Sequence, residues 1–397
     1  MRVLISGAGV AGLTTAYWLK HYGFTPTIVE RAPTLLTGGY KIDVRGSALQ
    51  VLHRMGIHDT VVTASTDMQG ALLVDKKGKI ICKMSGDAFG HRVGDDVEIV
   101  RGNLCQILKD QIPNVEFIFN DSIQEISQFS EKVQVKFQKH HTREFDLVIG
   151  ADGLHSNVRR LVFGDEAQFA HELGLHLCVF SVPNYLKLDR MEMQYSELGR
   201  VASIWSSRGD STAKACFGFT ASSDKINLRD KDQQQQVVRK TYEGIDWEVP
   251  RLLQMMPGAS DFYFDAAAQI HMDRWSRGRV VLLGDAAYCA SPMSGQGTSL
   301  ALIGAYVLAG ELAAASGEKY QAAFNAYEEQ LLPFVRRNQV LGVSAAKLMK
   351  SQGKNNLLIR LLMLLMRITP GRLIKFFINL STRRIHQAAN AITLKEY

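Results

Sequence analysis

Apolar and polar positions along this chain follow two periods, and the places where the period changes divide it. Residues 2–6 form a short apolar run, the pattern of a buried strand. A glycine-rich turn, Gly7 to Gly12, follows, and Leu13 to His21 carries its apolar residues at helical spacing. Thr27–Glu30 reads as a second strand, completing a βαβ unit of about 30 residues. A Gly38-Gly39 turn leads to Tyr40–Val44, then a helix through Leu52 and Met55. Val97–Val100 predicts a strand, and Leu104–Leu108 begins another helix. Val115–Phe119 and Val133–Phe137 alternate in the strand manner, and the apolar run from Phe145 to Ile149 ends at Gly150-Ala151-Asp152-Gly153. From Leu173 to Phe264 the texture changes. Leu175–Pro183, Met191–Tyr195, Val201–Ser206 and Ala213–Thr220 are β-rich and follow one another without helices, which predicts an antiparallel sheet. A polar helix around Gln233–Gln236 comes next, Val280–Leu283 restores the α/β pattern, and helices run to the end.

Composition narrows the partners. The 397 residues are 46% apolar and 21% charged, which is ordinary for a soluble globular chain of two domains or one large composite. The net charge of +7 is spread out except near the C-terminus and shows no basic-aromatic pattern, so no nucleic acid is expected. Five cysteines, an odd number without a Cys-x-x-Cys pair, predict neither a disulfide framework nor a metal site, and fit a cytoplasmic setting. The apolar start is too short, and too soon broken by glycine, for a signal peptide, and no run of 18 uncharged apolar residues predicts a membrane span.

Gly7-Ala8-Gly9-Val10-Ala11-Gly12 lies between a strand and a helix, the context in which Gly-x-Gly-x-x-Gly binds a dinucleotide. Gly7 permits the tight turn, Gly9 lets a pyrophosphate approach the backbone, and Gly12 lets helix and strand pack closely. Glu30 ends the next strand, where a carboxylate accepts ribose hydroxyls and repels a 2′-phosphate; Arg31 follows it. Three further signals lie far along the chain. Arg101 stands where it can pair with phosphate. Asp152, Gly153, Ser156 and Arg159 follow a strand at fixed offsets. Gly284-Asp285, Pro292 and Gly295-Gln296-Gly297 precede a long helix whose first N–H groups favour anions.

Together these motifs resemble the class A flavoprotein aromatic hydroxylases, the para-hydroxybenzoate hydroxylase family, over roughly residues 1 to 340. The resemblance implies that Gly7, Gly9, Gly12, Glu30 and Arg31 hold the ADP half of FAD, and that Arg101 contacts its phosphates or ribityl chain. It implies that Asp152 and Arg159 serve both FAD and the nicotinamide, that Asp285 takes a ribityl or ribose hydroxyl, and that Pro292, Gly295 and Gly297 lie at the isoalloxazine. Gly38 to Gly46, Val182–Tyr185, Asp261–Asp265 and Gly304–Leu312 resemble segments of the tetracycline-inactivating flavoenzymes, which would set Asp43 and Arg45 beside the flavin. Ser299 and Gly304 depart from that family's usual Asn and Asp.

The fold class expected is α/β: a Rossmann-like FAD-binding domain, an inserted antiparallel-sheet substrate domain, and C-terminal helices. Residues 1–172 and 265–340 are the two parts of the FAD-binding domain, 173–264 the substrate domain and 341–397 the helical segment. The implied reaction is monooxygenation of an electron-rich phenolic or polycyclic substrate with NADPH or NADH and O2 through a flavin C4a-hydroperoxide, tetracycline-type antibiotics and polyketides being candidates. A flavoprotein reductase of the same fold, prenyl reductase-like, is the alternative. Phe180, Met191, Met193, Trp205, Phe217, Phe219 and Met293 are the candidate pocket lining, and no catalytic base is assigned. His155 reads as a surface loop residue, and Trp247 and Trp275 as core aromatics in spite of passing likeness to halogenase and Baeyer–Villiger motifs. Leu357–Ile368 has the basic amphipathic look of a membrane-surface element, but a helix packed across the two domains with its charges solvated is the favoured reading. The expected partner is a small molecule, and the chain is expected to act as a monomer.

Overall fold

The computed structural model describes residues 1–36, 38–197, 199–220, 230–315, 319–351 and 382–397. A six-stranded sheet runs in the order Ser276–Arg277, Val280–Leu282, Leu147–Gly150, Arg2–Ser6, Thr25–Glu30, Glu116–Phe119. It is parallel except at the Ser276 edge. Its central strands are buried on both faces, so they read as unbroken apolar runs rather than alternating ones. Val148 to Gly150 pair with Val280 to Leu282, so the chain leaves this domain and returns to it at adjacent strands.

The helices Val10–His21 and Gly297–Ala314 pack together on one face, with Trp18 edge-on to Tyr306 at 4.9 Å. Gly297–Ala314 is long and apolar enough to cross a membrane, yet 78% of it is buried inside the protein, and it serves here as a core helix.

The apolar run Phe145–Ile149 is not one strand. Arg143–Phe145 belongs to a three-stranded antiparallel sheet with Val133–Phe137 and Ile123–Gln128, and Leu147–Gly150 to the parallel sheet. The break falls at Asp146, whose carboxylate accepts the Arg2 N–H at 2.6 Å and whose own N–H donates to Arg2 carbonyl oxygen at 2.8 Å.

The second sheet has seven strands, in the order Tyr263–Ile270, Ala170–Pro183, Thr212–Thr220, Arg200–Ser206, Met191–Glu197, Gly70–Val74, Ile80–Ser85. Its four expected strands are present. It also recruits Gly70–Val74 and Ile80–Ser85 from the first segment of the chain, and Tyr263–Ile270 runs across residues 264 and 265. Met191–Glu197 pairs with Gly70–Val74 in parallel, so the sheet is mixed, not antiparallel throughout. One face is covered by the helices Lys231–Thr241 and Val249–Met255, around a core that includes Phe180, Phe217, Phe219 and Tyr242. The other face looks onto the dinucleotide-binding domain.

Residues 320–351 form a single helix through Pro333, continuous across residues 340 and 341. The chain end, 382–397, returns to the first domain: Ser47 Oγ donates to the Ile392 carbonyl at 3.0 Å, and a Cβ on Gly46 would stand 2.9 Å from Ala389. The segment Leu357–Ile368 lies outside the described residues. All five cysteines are free, and among the described residues no group of three His, Cys, Asp or Glu is placed to hold a metal ion.

Candidate active site

One cavity of about 530 Å³ runs from the first glycine turn to the second sheet. At the turn end the glycines divide by function. A Cβ on Gly12 would lie 1.9 Å from the Gly7 carbonyl oxygen, and one on Gly7, where φ is +105°, would lie 2.5 Å from the Ala151 oxygen. Those two are required by packing. A Cβ on Gly9 would meet only Arg101 Nη2, at 3.5 Å, so Gly9 is required by nothing inside the protein and faces the cavity. Glu30 accepts the N–H of Ala8 and of Ala32, each at 2.8 Å, which fixes its carboxylate beside the turn. Arg31 is exposed. Arg101 is the first residue of the helix Arg101–Asp110, and its N–H donates to the Tyr40 carbonyl at 3.1 Å. Its guanidinium lines the cavity and has no hydrogen-bond or ion-pair partner among the described residues. Tyr40 and Tyr263 face each other across this part, ring centroids 6.0 Å apart.

Asp285, Pro292, Met293, Gly295 and Gly297 line the middle of the cavity. Gly284 and Gly295 have φ of +64° and +62°, which lets the chain leave the Val280–Leu282 strand and turn tightly into the helix Gly297–Ala314. Asp285 is exposed where it lines the cavity, and desolvation by the surrounding protein raises its carboxyl above the ordinary range. Asp43 also lines the cavity, and burial raises its carboxyl while Arg45 pulls it down. Arg45 itself stands behind: it pairs with Asp43 at 2.7 Å, its guanidinium donates to the carbonyls of Gly90 and His91, and its backbone N–H donates to Ser299 Oγ. Gly304 is explained by packing, since a Cβ there would meet the Tyr288 hydroxyl at 2.1 Å.

Asp152 is placed differently from the expectation. Its carboxylate accepts from Ser156 Oγ and from the N–H of Asn157 and Val158, at 2.9 and 3.1 Å, so it fastens the start of the helix Asn157–Val162. Its neighbours Ala151 and Gly153 line the cavity in its stead. Arg159, fully buried, donates to the carbonyls of Leu154 and Ala286 and pairs with Glu166. It thereby ties this loop to the residue after Asp285. His155 is more than a surface residue: Nδ1 lies 2.8 Å from Glu166 and Nε2 3.2 Å from Asp265, a strand residue of the second sheet. Those two carboxylates push its pKa up to about 10, so it stays charged and links the domains.

On the second sheet the side chains alternate. Leu177, Val179, Val201, Ser203, Cys216 and Gly218 face the cavity. Phe180 and Phe219 occupy the alternate positions and pack under the covering helices, as does most of the nearly fully buried Phe217. Met193 lies on that side too, and Met191 packs near Gly70. Of the expected lining residues, only Trp205, Phe217 and Met293 reach the cavity. The four others belong to the opposite face because one residue of strand register exchanges the faces.

The reading from sequence missed Lys41 and Glu192. Lys41 Nζ lies 2.7 Å from Glu192 and 3.5 Å from Glu98, and Arg92 reaches Glu98 at 2.8 Å. Lys41 also sits 5.4 Å from the centre of the Trp205 ring. Neither strand marked them out: Lys41–Val44 carries Asp43 as well, and Met191–Glu197 alternates apolar residues with Glu192, Gln194 and Ser196.

Fold and cavity together define a dinucleotide-binding flavoprotein with room for a second molecule against a sheet. A protein-family model described as an FAD binding domain matches residues 1–340, and the chain belongs to that family. A flavin-dependent monooxygenase from an unknown prokaryotic organism is 43% identical over 342 residues, 86% of this chain and 88% of that one. A flavin-dependent monooxygenase of Legionella longbeachae serogroup 1 (strain NSW150) is 41% identical over 344 residues, with 86% and 88% covered. The crystal structure of tetracycline destructase Tet(51) matches with a TM-score of 0.87 at 37% identity, covering 100% of this chain and 99% of that one. The flavoprotein resemblance and the α/β fold class hold.

Proposed function

We propose that the chain is a monooxygenase that uses FAD, NADPH or NADH, and O2 to oxygenate an electron-rich phenolic or polycyclic compound, with tetracycline-type antibiotics as the first candidates. The observation that carries this reading is the continuity of the cavity. One space joins Gly9 and Arg101, the loop of Gly295 and Gly297, and the sheet face of Val201 and Trp205. A cofactor gripped at the first two would present its far end to a molecule held on the third.

FAD fits the residues present. Gly9 offers an open approach to backbone N–H groups, Arg101 brings an unpaired guanidinium, and Asp285 supplies an acceptor inside the cavity. When bound, FAD supplies hydride acceptance and oxygen activation. The chain supplies the rest. Arg101 offsets phosphate charge. The first N–H groups of the helix Gly297–Ala314 favour negative charge at the loop. Asp43 and Asp285, both with raised carboxyls, are acceptors whose ionisation desolvation resists. Leu177, Val179, Val201 and Met293 keep water from the substrate end. The match to a tetracycline destructase over the whole chain supports the substrate candidate, and five free cysteines suit a cytoplasmic setting.

Stopped-flow reduction by NADPH or NADH under anaerobic conditions, followed by O2, tests this against tetracyclines and polyketide phenols. Substrate-dependent NAD(P)H consumption with an oxygenated product is expected. Reduction of the flavin with product formed equally well without O2 would instead make the protein a reductase.

A further inference from the structure

The charged groups at the substrate end are almost all satisfied by one another. Lys41 is held between Glu192 and Glu98, Arg92 pairs with Glu98, and Arg45 with Asp43. Three buried or half-buried carboxylates therefore meet three cations, and the exposed Asp87 also reaches Arg92 at 3.2 Å. Ser203, Cys216 and Trp205 line the cavity nearby. One atom is left over. Glu192 gives Oε2 to Lys41 at 2.7 Å, while Oε1 has no hydrogen-bond partner among the described residues. The Glu192 side chain is only 6% exposed and lines the cavity, so Oε1 is an unpartnered acceptor at the wall of the space a substrate would take.

A buried carboxylate oxygen without a donor is unfavourable, and a ligand that supplies one gains accordingly. Because Lys41 already offsets the charge, the site suits a neutral donor over a cation, whose burial in a charge-balanced network carries a desolvation penalty. We propose that Glu192 selects the substrate, with Oε1 accepting a hydrogen bond from a phenolic or enolic hydroxyl on the edge of a flat ring system. This rests on the reading that the cavity takes such compounds, but it is a statement about binding and requires no turnover.

The test is isothermal titration calorimetry of the oxidised, FAD-loaded protein, without NAD(P)H, using three probes: 2-naphthol, 2-methoxynaphthalene and 2-naphthylmethylammonium. The wild type is expected to bind 2-naphthol about tenfold tighter than either other probe, the worth of one hydrogen bond to a charged acceptor. In Glu192→Gln the amide oxygen stays with Lys41 and the cavity receives an N–H donor, so the preference for the hydroxyl falls to about threefold or less. Glu192→Asp keeps the charge and the fold but withdraws the acceptor by a methylene, with the same expected loss. Equal binding of 2-naphthol and its methyl ether by the wild type overturns the proposal whatever the variants do. So does a variant that weakens all probes alike, and preference for the ammonium probe overturns the choice of a neutral donor. A protein that discriminates in this way but forms no oxygenated product fails the monooxygenase reading and keeps this one.

Discussion

Gly9→Ala and Gly12→Ala add the same methyl group three residues apart, and the structure gives them opposite outcomes. Gly9 has φ of −81°, a conformation open to any residue, and its new Cβ would meet only the Arg101 Nη2 at 3.5 Å, an ordinary contact. The fold should therefore tolerate alanine within about 1 kcal/mol, helped by the narrower freedom of the unfolded chain. The methyl group, however, fills the approach to the Val10 and Ala11 backbone, which lines the cavity. Losing one or two charge-assisted hydrogen bonds there, each worth about 1.5–3 kcal/mol, weakens FAD by at least about tenfold. Gly12 is the reverse case. Its Cβ would lie 1.9 Å from the Gly7 oxygen and 3.1 Å from the Gly7 carbon, both backbone, so the helix must move off the strand. Such overpacking costs about 1–3 kcal/mol or more. Thermal unfolding of the two apoproteins, compared without FAD because ligand itself stabilises, and titration with FAD by flavin fluorescence separate the two effects. A Gly9→Ala protein with wild-type FAD affinity, or a Gly12→Ala apoprotein with wild-type stability, would refute the assignment of these glycines.

Three further outcomes are expected. His155, raised from 6.5 to about 10 by Asp265 and Glu166, contributes its full stabilisation below about pH 6.5 and loses it as pH climbs towards 10; His155→Ala should flatten the unfolding midpoint against pH in that window, and an unchanged slope would show that the pair does not form. Phe180→Ala should cost about 3–5 kcal/mol of folding stability in denaturant titrations, whereas Val201→Phe should leave stability within about 1.5 kcal/mol and change ligand binding; the reverse would mean the sheet faces are exchanged. Gly304→Ala should destabilise by about 1–3 kcal/mol through the Tyr288 hydroxyl and Leu283 Cδ1, and in the Tyr288→Phe background the same substitution should cost less, the Leu283 contact remaining; additive losses would contradict the hydroxyl contact.

The dinucleotide-binding half was legible because its signals are local. Gly7, Gly12, Gly284 and Gly295 are demanded by backbone geometry or close approach, and such demands fall on single residues at fixed spacing. Asp152 was legible as important, but its role was not. Its partners Ser156, Asn157 and Val158 follow within six residues, so an Asp that fastens its own loop leaves the same trace as one that holds a cofactor. The strands Gly70–Val74 and Ile80–Ser85 were missed as members of the second sheet because Gly70–Val74 pairs with Met191–Glu197, more than a hundred residues away, and Ile80–Ser85 joins the sheet through Gly70–Val74. The Lys41–Glu192 contact joins two strands over a similar separation, and nothing in either strand alone announces it.

The lining of the substrate end was misread for a physical reason that applies to any sheet set between helices and a ligand. Alternation along a strand distinguishes two faces but does not say which one the cavity takes. Bulk suggested the aromatic face. Packing requires the opposite: the face that closes against helices must be filled, and Phe180, Phe217 and Phe219 fill it. The face that leaves room for another molecule must carry less volume, and its residues are Val179, Val201, Ser203, Cys216 and Gly218. Gly218 shows how tight that side becomes, since a Cβ there would come within 3.4 Å of both Leu177 and Met349, the latter on the long helix Tyr320–Ser351. A larger residue would therefore press on the cavity wall from a strand position where sheet and helix already meet. In such a sheet the ligand-facing positions are the small and polar ones between the aromatics, with any charged residue among them, here Glu192, standing out as a candidate selector.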